Sequence, residues 1–142
     1  MPTNNKTQWT QYTVPLTNTP GTLAKLTQTL STAEVNITSF TSEGWSDVAW
    51  FRFLAKDPNA TTVLEKAGYK VYTHPAIEVE LTNKPGELNK LAATLGEKGI
   101  NIWTTYGTTA TNQTSGRIVV VVDQPEKALP VLDTWKVKAT TN

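Results

Sequence analysis

Residues 14–37 read VPLTNTPGTLAKLTQTLSTAEVNI, and residues 79–102 read VELTNKPGELNKLAATLGEKGINI. A shift of 65 positions (79 less 14) lays one stretch on the other without a gap. Val14 meets Val79, Leu16 meets Leu81, and Asn18 meets Asn83, while Pro20-Gly21 falls on Pro85-Gly86. Leu23, Lys25, Leu26, Thr29 and Leu30 fall on Leu88, Lys90, Leu91, Thr94 and Leu95, and Asn36-Ile37 falls on Asn101-Ile102. Self-similarity at a fixed spacing marks a duplicated structural unit.

Within each copy the hydrophobic period changes in the same order. Ile77, Val79 and Leu81 alternate with Glu78, Glu80 and Thr82, the pattern of a strand with one wet face. Tyr12, Val14 and Leu16 alternate in the first copy, where Pro15 lacks a ladder donor and predicts an edge or irregular strand. Leucines 23, 26 and 30, mirrored by Leu88, Leu91, Ala92 and Leu95, recur at helical spacing. Pro20 and Pro85 are expected at the first helical position, where a missing N–H costs nothing. Gly99 is expected as a left-handed helix end, and Glu34 in its place predicts a different ending for the first helix.

A second strand follows at 36–41 and 101–106, then a hairpin loop, short at 42–47 and longer at 107–116. The third strand, 48–54 and 118–122, is apolar on both faces, as a central strand should be. A second helix is predicted over 58–67, capped by Asp57 and closed by Gly68. Its counterpart over 125–135 contains Pro130, which should shorten or kink it. Fourth strands are expected at 69–73 and 136–139. The chain therefore reads βαββαβ twice. The fold class is α+β, two tandem ferredoxin-like domains, each an antiparallel four-stranded sheet with both helices on one face. Residues 1–10 read as a polar tail, 11–73 as the first domain, 74–76 as a link, 77–139 as the second domain and 140–142 as a tail.

Composition removes several classes of function. The 13 basic and 12 acidic residues leave a net charge of +1, no footprint for nucleic acid or an anionic membrane. Without cysteine there is no disulfide scaffold, thiolate metal site or cysteine nucleophile. His74, the sole histidine, sits in the link before Pro75, too isolated for a triad or a histidine-rich metal site. Glu78 and Glu80 read as a solvated strand face. No catalytic residue, metal or cofactor is expected. Residues 1–10 lack an apolar signal core and the run 118–122 is too short for a membrane span, so a cytoplasmic location is expected. Small units with open sheet edges favour pairing, and a homodimer is expected, with Trp45 and Trp103 as interface aromatics and Trp50 as a packing residue.

Function narrows to the repeated turn between first strand and first helix. It comprises Asn18, Thr19, Pro20, Gly21, Thr22 and Leu23, and again Asn83, Lys84, Pro85, Gly86, Glu87 and Leu88. Glycine there leaves unpaired N–H groups of the first helical turn uncovered. Those donors and the positive end of the helix dipole suit a carboxylate. Asn18 and Asn83 add a donor and an acceptor for a small zwitterion. The same residues also serve as a plain turn and cap, so turn chemistry alone leaves both readings open.

Asn-x-Pro-Gly-x-Leu, then leucines at helical spacing, then Asn-Ile opening a strand, resembles the ACT domain pattern. Both copies carry it, and the resemblance covers about residues 11–139. Gly99-Ile100-Asn101-Ile102 is nearer the family pattern than Ala33-Glu34-Val35-Asn36. The resemblance implies a regulatory unit of amino-acid metabolism that binds an amino acid or similar metabolite at an interface between paired domains and controls a metabolic enzyme. It implies that Asn18, Gly21, Asn83 and Gly86 approach the ligand, with Asn36-Ile37 and Asn101-Ile102 contributing across an interface. Some serine-binding members carry a histidine two positions before the loop asparagine; here Leu16 and Leu81 stand there, which points to another ligand.

Two alternatives stand beside this reading. One is a non-catalytic assembly or regulatory subunit with no ligand of its own. The other is RNA binding, since the fold carries modules that stack bases on sheet aromatics, and Trp50, Phe51 and Phe53 surround Arg52. The second copy has no aromatic at 118–122, and the balanced charge argues against it. Acyl phosphate hydrolysis on this fold would need an arginine in the loop after the first strand; the two arginines, Arg52 and Arg117, lie elsewhere.

Overall fold

The computed structural model describes residues 8–109 and 112–135. The chain divides into two units, Thr10–His74, and the part from Pro75 onward joined by Gln8 and Trp9 at the start of the first strand. The first contains β1 (Gln8–Thr17), α1 (Thr22–Thr32), β2 (Ser39–Trp45), β3 (Val48–Ala55) and α2 (Ala60–Lys66). β3 is central and antiparallel to both β1 and β2. Its register sets Tyr12 opposite Phe53, Val14 opposite Phe51 and Leu16 opposite Ala49, so period-two alternation gathers these side chains on one face. Leu26 and Leu30 of α1 and Ala60 and Leu64 of α2 close over that face. The rings of Tyr12 and Phe53 stack with centroids 5.1 Å apart, and those of Phe51 and Phe53 with 5.4 Å. Leu54, of the opposite parity, is fully buried too, but Val48 and Trp50 on that face are 44% and 37% exposed, so Trp50 is not the packing residue expected.

The second unit repeats the plan with β4 (Tyr72–Thr82), α3 (Glu87–Glu97), β5 (Ile102–Thr108), β6 (Ser115–Val122) and α4 (Pro125–Val131). β6 is central, between β4 and β5, and Val79 faces Ile118 across the ladder. Leu91, Leu95, Ala128 and Leu132 pack on Ile77, Val79, Val120 and Val122. Each unit is thus α+β and ferredoxin-like, an antiparallel sheet with its helices on one side.

Several local expectations give way to the structure. β1 runs through Pro15 without a break in register. β2 extends to Trp45, leaving only Ser46 and Asp47 as the hairpin turn, with Ser46 at φ 58. β5 and β6 likewise shorten the second loop to 109–114. Glu34 adopts φ 58 and ends α1 as Gly99 (φ 72) ends α3. In both, the next N–H returns to the helix: Val35 N to Leu30 O at 2.9 Å and Ile100 N to Leu95 O at 3.0 Å. An ordinary residue therefore accepts a left-handed conformation because the same carbonyl must be satisfied. α2 begins at Ala60, later than the predicted 58, with Asp57 Oδ1 accepting the Asn59 N–H at 2.8 Å. α4 stops at Val131, one residue after Pro130, and a 3-10 turn, Leu132–Trp135, follows.

The link at 74–76 is strand, lying inside β4, which begins at Tyr72 rather than 69. The strand expected at 136–139 and the tails at 1–7 and 140–142 lie outside the described residues. The strand face carrying Glu78 is not wet at that position. Glu78 is 7% exposed, with Arg117 Nη1 donating to its Oε1 at 3.5 Å.

Tyr12 gives a pH prediction. Burial, and then the charge of Asp57, push its phenol above the ordinary tyrosine value. A group whose folded pKa is raised contributes stability that is present below the unfolded pKa and lost as pH rises through the folded one. Ultraviolet titration is expected to show one phenol ionising above the ordinary tyrosine value, with stability falling as pH climbs past the usual tyrosine range. Coincident ionisation of all tyrosines below the unfolding transition would contradict the burial argument.

Candidate functional site

Each repeated corner is a turn, and the helix after it starts two residues later than the proline position predicts. Thr19-Pro20-Gly21-Thr22 is a type II β-turn, with the Thr22 N–H donating to Thr19 O at 3.3 Å and Gly21 at φ 90, ψ −14. Proline fills the second turn position and glycine the third, where φ must be positive. Pro20 therefore precedes the helix, Gly21 is the N-cap, and α1 starts at Thr22. The second corner matches: the Glu87 N–H donates to Lys84 O at 3.4 Å, and Gly86 has φ 90, ψ −10. The first intrahelical bonds run from Lys25 N to Gly21 O and from Lys90 N to Gly86 O, both 3.0 Å. Among the described residues the N–H groups of Gly21, Leu23 and Ala24, and of Gly86, Leu88 and Asn89, have no acceptor. No side chain caps either helix start. A Cβ added at Gly21 or Gly86 would meet nothing within 4 Å, so both corners are open above the glycine.

The loop asparagines are latched. Asn18 donates its backbone N–H to Asp47 O at 2.9 Å and its Nδ2 to Ser46 O at 2.9 Å. Asn83 repeats this with Thr114 O at 2.8 Å and Gln113 O at 3.2 Å. Each asparagine thus ties its corner to the neighbouring hairpin turn, spending the donor that the sequence reading assigned to a ligand and leaving Oδ1 as an acceptor. Gly44 makes room for this in the first unit, since a Cβ there would stand 2.5 Å from Asn18 Oδ1. The sequence could not single out positions 46–47 and 113–114 as partners, because they act through carbonyls that every residue carries. Thr22 Oγ1 turns back to Thr17 O and Thr19 O, 2.8 Å from each.

Asn36-Ile37 and Asn101-Ile102 do not join the corner of their own unit. They follow the far end of an 11-residue helix, roughly 16 Å along its axis. Ile37 and Ile102 pack against the two cores, and the Asn101 N–H donates to Asp123 Oδ1 at 2.9 Å. The basic-aromatic cluster of the RNA alternative is divided between the two faces of β3, with Arg52 over the Trp50 ring at 6.0 Å on one of them. Phe51 and Phe53 face the helices, and Arg52 is paired to Glu43 at 2.8 Å. Among the described residues no group of three or more His, Asp or Glu side chains could hold a metal, and no helix is long and apolar enough to cross a membrane.

The comparisons agree with this architecture. Among solved structures, a protein from Bacteroides thetaiotaomicron superposes with a TM-score of 0.80 at 22% identity, covering 92% of this chain and 90% of that one. The regulatory subunit of aspartate kinase from Thermus thermophilus, in a ligand-free form, gives 0.68 at 18% identity over 92% of this chain and 95% of that one. The corresponding subunit from Thermus flavus gives 0.65 at 18% identity, covering 90% and 92%. At such identities the likeness is one of fold. No curated protein matches the chain. A family model described as an ACT domain pair matches residues 8–140, a span that takes in both corners, and the chain belongs to that family.

Proposed function

We propose that this chain is a regulatory module that binds an amino acid or a related small metabolite at a Pro-Gly corner and controls a metabolic enzyme, catalysing nothing itself. The observation that carries the reading is the open corner: unpaired amides of Gly21, Leu23 and Ala24 at the positive end of α1, beside the acceptor oxygen of Asn18. Amides suit the carboxylate of a zwitterion and the asparagine oxygen suits its ammonium. Membership of the ACT domain pair family supports a regulatory role, and the aspartate kinase subunits of similar fold support an enzyme as the partner. A cytoplasmic setting follows from that kind of partner.

A thermal-shift panel of the twenty amino acids tests the reading. A ligand at 100 times its Kd is expected to add about 2.7 kcal/mol of stability, a readily measured rise in Tm. Silence across the panel would overturn it and favour a subunit that only assembles. That second reading has its own observation: Phe40 and Trp45 on β2, the outer strand of its unit, are 61% and 87% exposed. Aromatics so placed favour a homodimer, which sedimentation velocity over a range of concentrations would detect.

A further inference from the structure

The first unit ends its sheet on a bare edge. Among the described residues β2 bonds to β3 alone. The Thr38 N–H donates to Leu54 O at 3.0 Å, so that carbonyl points towards β2. Alternation along the antiparallel ladder then commits the backbone of Ser39, Thr41, Glu43 and Trp45 to β3 and turns the N–H and C=O groups of Phe40, Ser42 and Gly44 outward. Proteins guard such edges with lysine, proline or a bulge. β2 carries none of these. Its register on β3 is unbroken from Ser39 to Trp45, and its one charged residue, Glu43, is neutralised by Arg52 at 2.8 Å. The outer strand of the second unit, β5, differs: its register shifts between Ile102 and Thr104.

We infer that β2 pairs with β2 of a second copy of this chain, antiparallel about a two-fold axis at Ser42. This gives the seam of the homodimer in the second reading above, rests on that reading, and is independent of ligand binding. The strand is complementary to itself in this register. Only outward-facing residues can bond across the edge, and a centre at Ser42 joins Phe40 to Gly44, Ser42 to Ser42 and Gly44 to Phe40, about six hydrogen bonds. A centre one residue to either side leaves about four. Each bulky ring then meets a small residue: Phe40 faces Gly44 and the Asn18 side chain that covers it, and Trp45 faces Ser39 on the other side of the sheet. Glu43 falls opposite Thr41, so like charges do not face each other.

The chain has no cysteine, so single cysteines report the register. In a hydrogen-bonded antiparallel pair the Cα atoms stand about 5.5 Å apart, within disulfide reach. Ser42→Cys is therefore expected to give a covalent dimer on mild oxidation. Thr41→Cys is expected to stay uncrosslinked, because its mate lies two residues along the partner strand, about 7–8 Å away and beyond bridging. Ser42→Pro removes the outward donor and spares the bonds to β3. One bond is lost from each copy, and sedimentation velocity should show the dimer weakened by roughly tenfold or more. Circular dichroism checks that this variant folds; if it does not, the two cysteine variants decide. A dimer cross-linked through Thr41→Cys, or through neither cysteine, or left as tight by a folded Ser42→Pro, overturns this seam while the homodimer stands. A monomer at every concentration overturns both and leaves the edge to a strand of another protein.

Discussion

Phe53→Ala is expected to cost about 3–5 kcal/mol of folding stability, the largest loss of any single substitution considered for the first unit. Phe53 is fully buried, sits on the central strand opposite Tyr12, and stacks on both Tyr12 and Phe51. Removing the ring forfeits its transfer out of water and leaves a cavity between sheet and helices that rigid neighbours fill only in part. Small domains hold only about 5–15 kcal/mol in reserve, so the first unit should unfold at much lower urea. Phe40→Ala is the control. Its ring lies opposite Phe53 on the edge strand but is 61% exposed, and truncation should cost well under half as much. Equal urea midpoints for the two variants would mean that the face between β3 and the helices is not the core of this unit.

Gly21→Val should abolish the thermal shift given by any amino acid that stabilises the wild type, and Gly86→Val reports whether the second corner shares in it. Both glycines hold φ 90, a conformation that a β-branched residue reaches only at a cost of about 1–3 kcal/mol. The loss is conformational, because space above each glycine is open. An unchanged shift in Gly21→Val would remove the proposed site; a lost shift in Gly86→Val as well would argue that both corners bind.

The latch residues show how structure reassigned a role without moving a residue. Asn18 and Asn83 are legible in the sequence as the repeated polar group before the helix. Their donors go to the hairpin turns at 46–47 and 113–114. Sequence separation of about 30 positions, bridged through main-chain carbonyls, leaves no pattern to read. Pro20 and Pro85 failed for a nearer reason. Proline's fixed φ suits both the first helical position and the second position of a type II turn, and only the backbone at the following glycine distinguishes them.

What the sequence determined by itself was the duplication, the order of strand and helix in each copy, the inward leucines Leu26, Leu30, Leu91 and Leu95 (Leu23 and Leu88, of the same spacing, are exposed), and the two glycine corners. These follow from spacing: alternation of two for a strand, leucines at three and four for a helix, and glycine where φ must be positive. What only the tertiary structure decided was which groups at those corners remain unspent. Glu87 is buried against Lys84 and Lys90, Lys25 has no acidic partner among the described residues, and Glu34 bends left-handed although it is not glycine. Burial, ion pairing and the satisfaction of a helix's last carbonyl are properties of neighbours in space, and no periodicity along the chain encodes them.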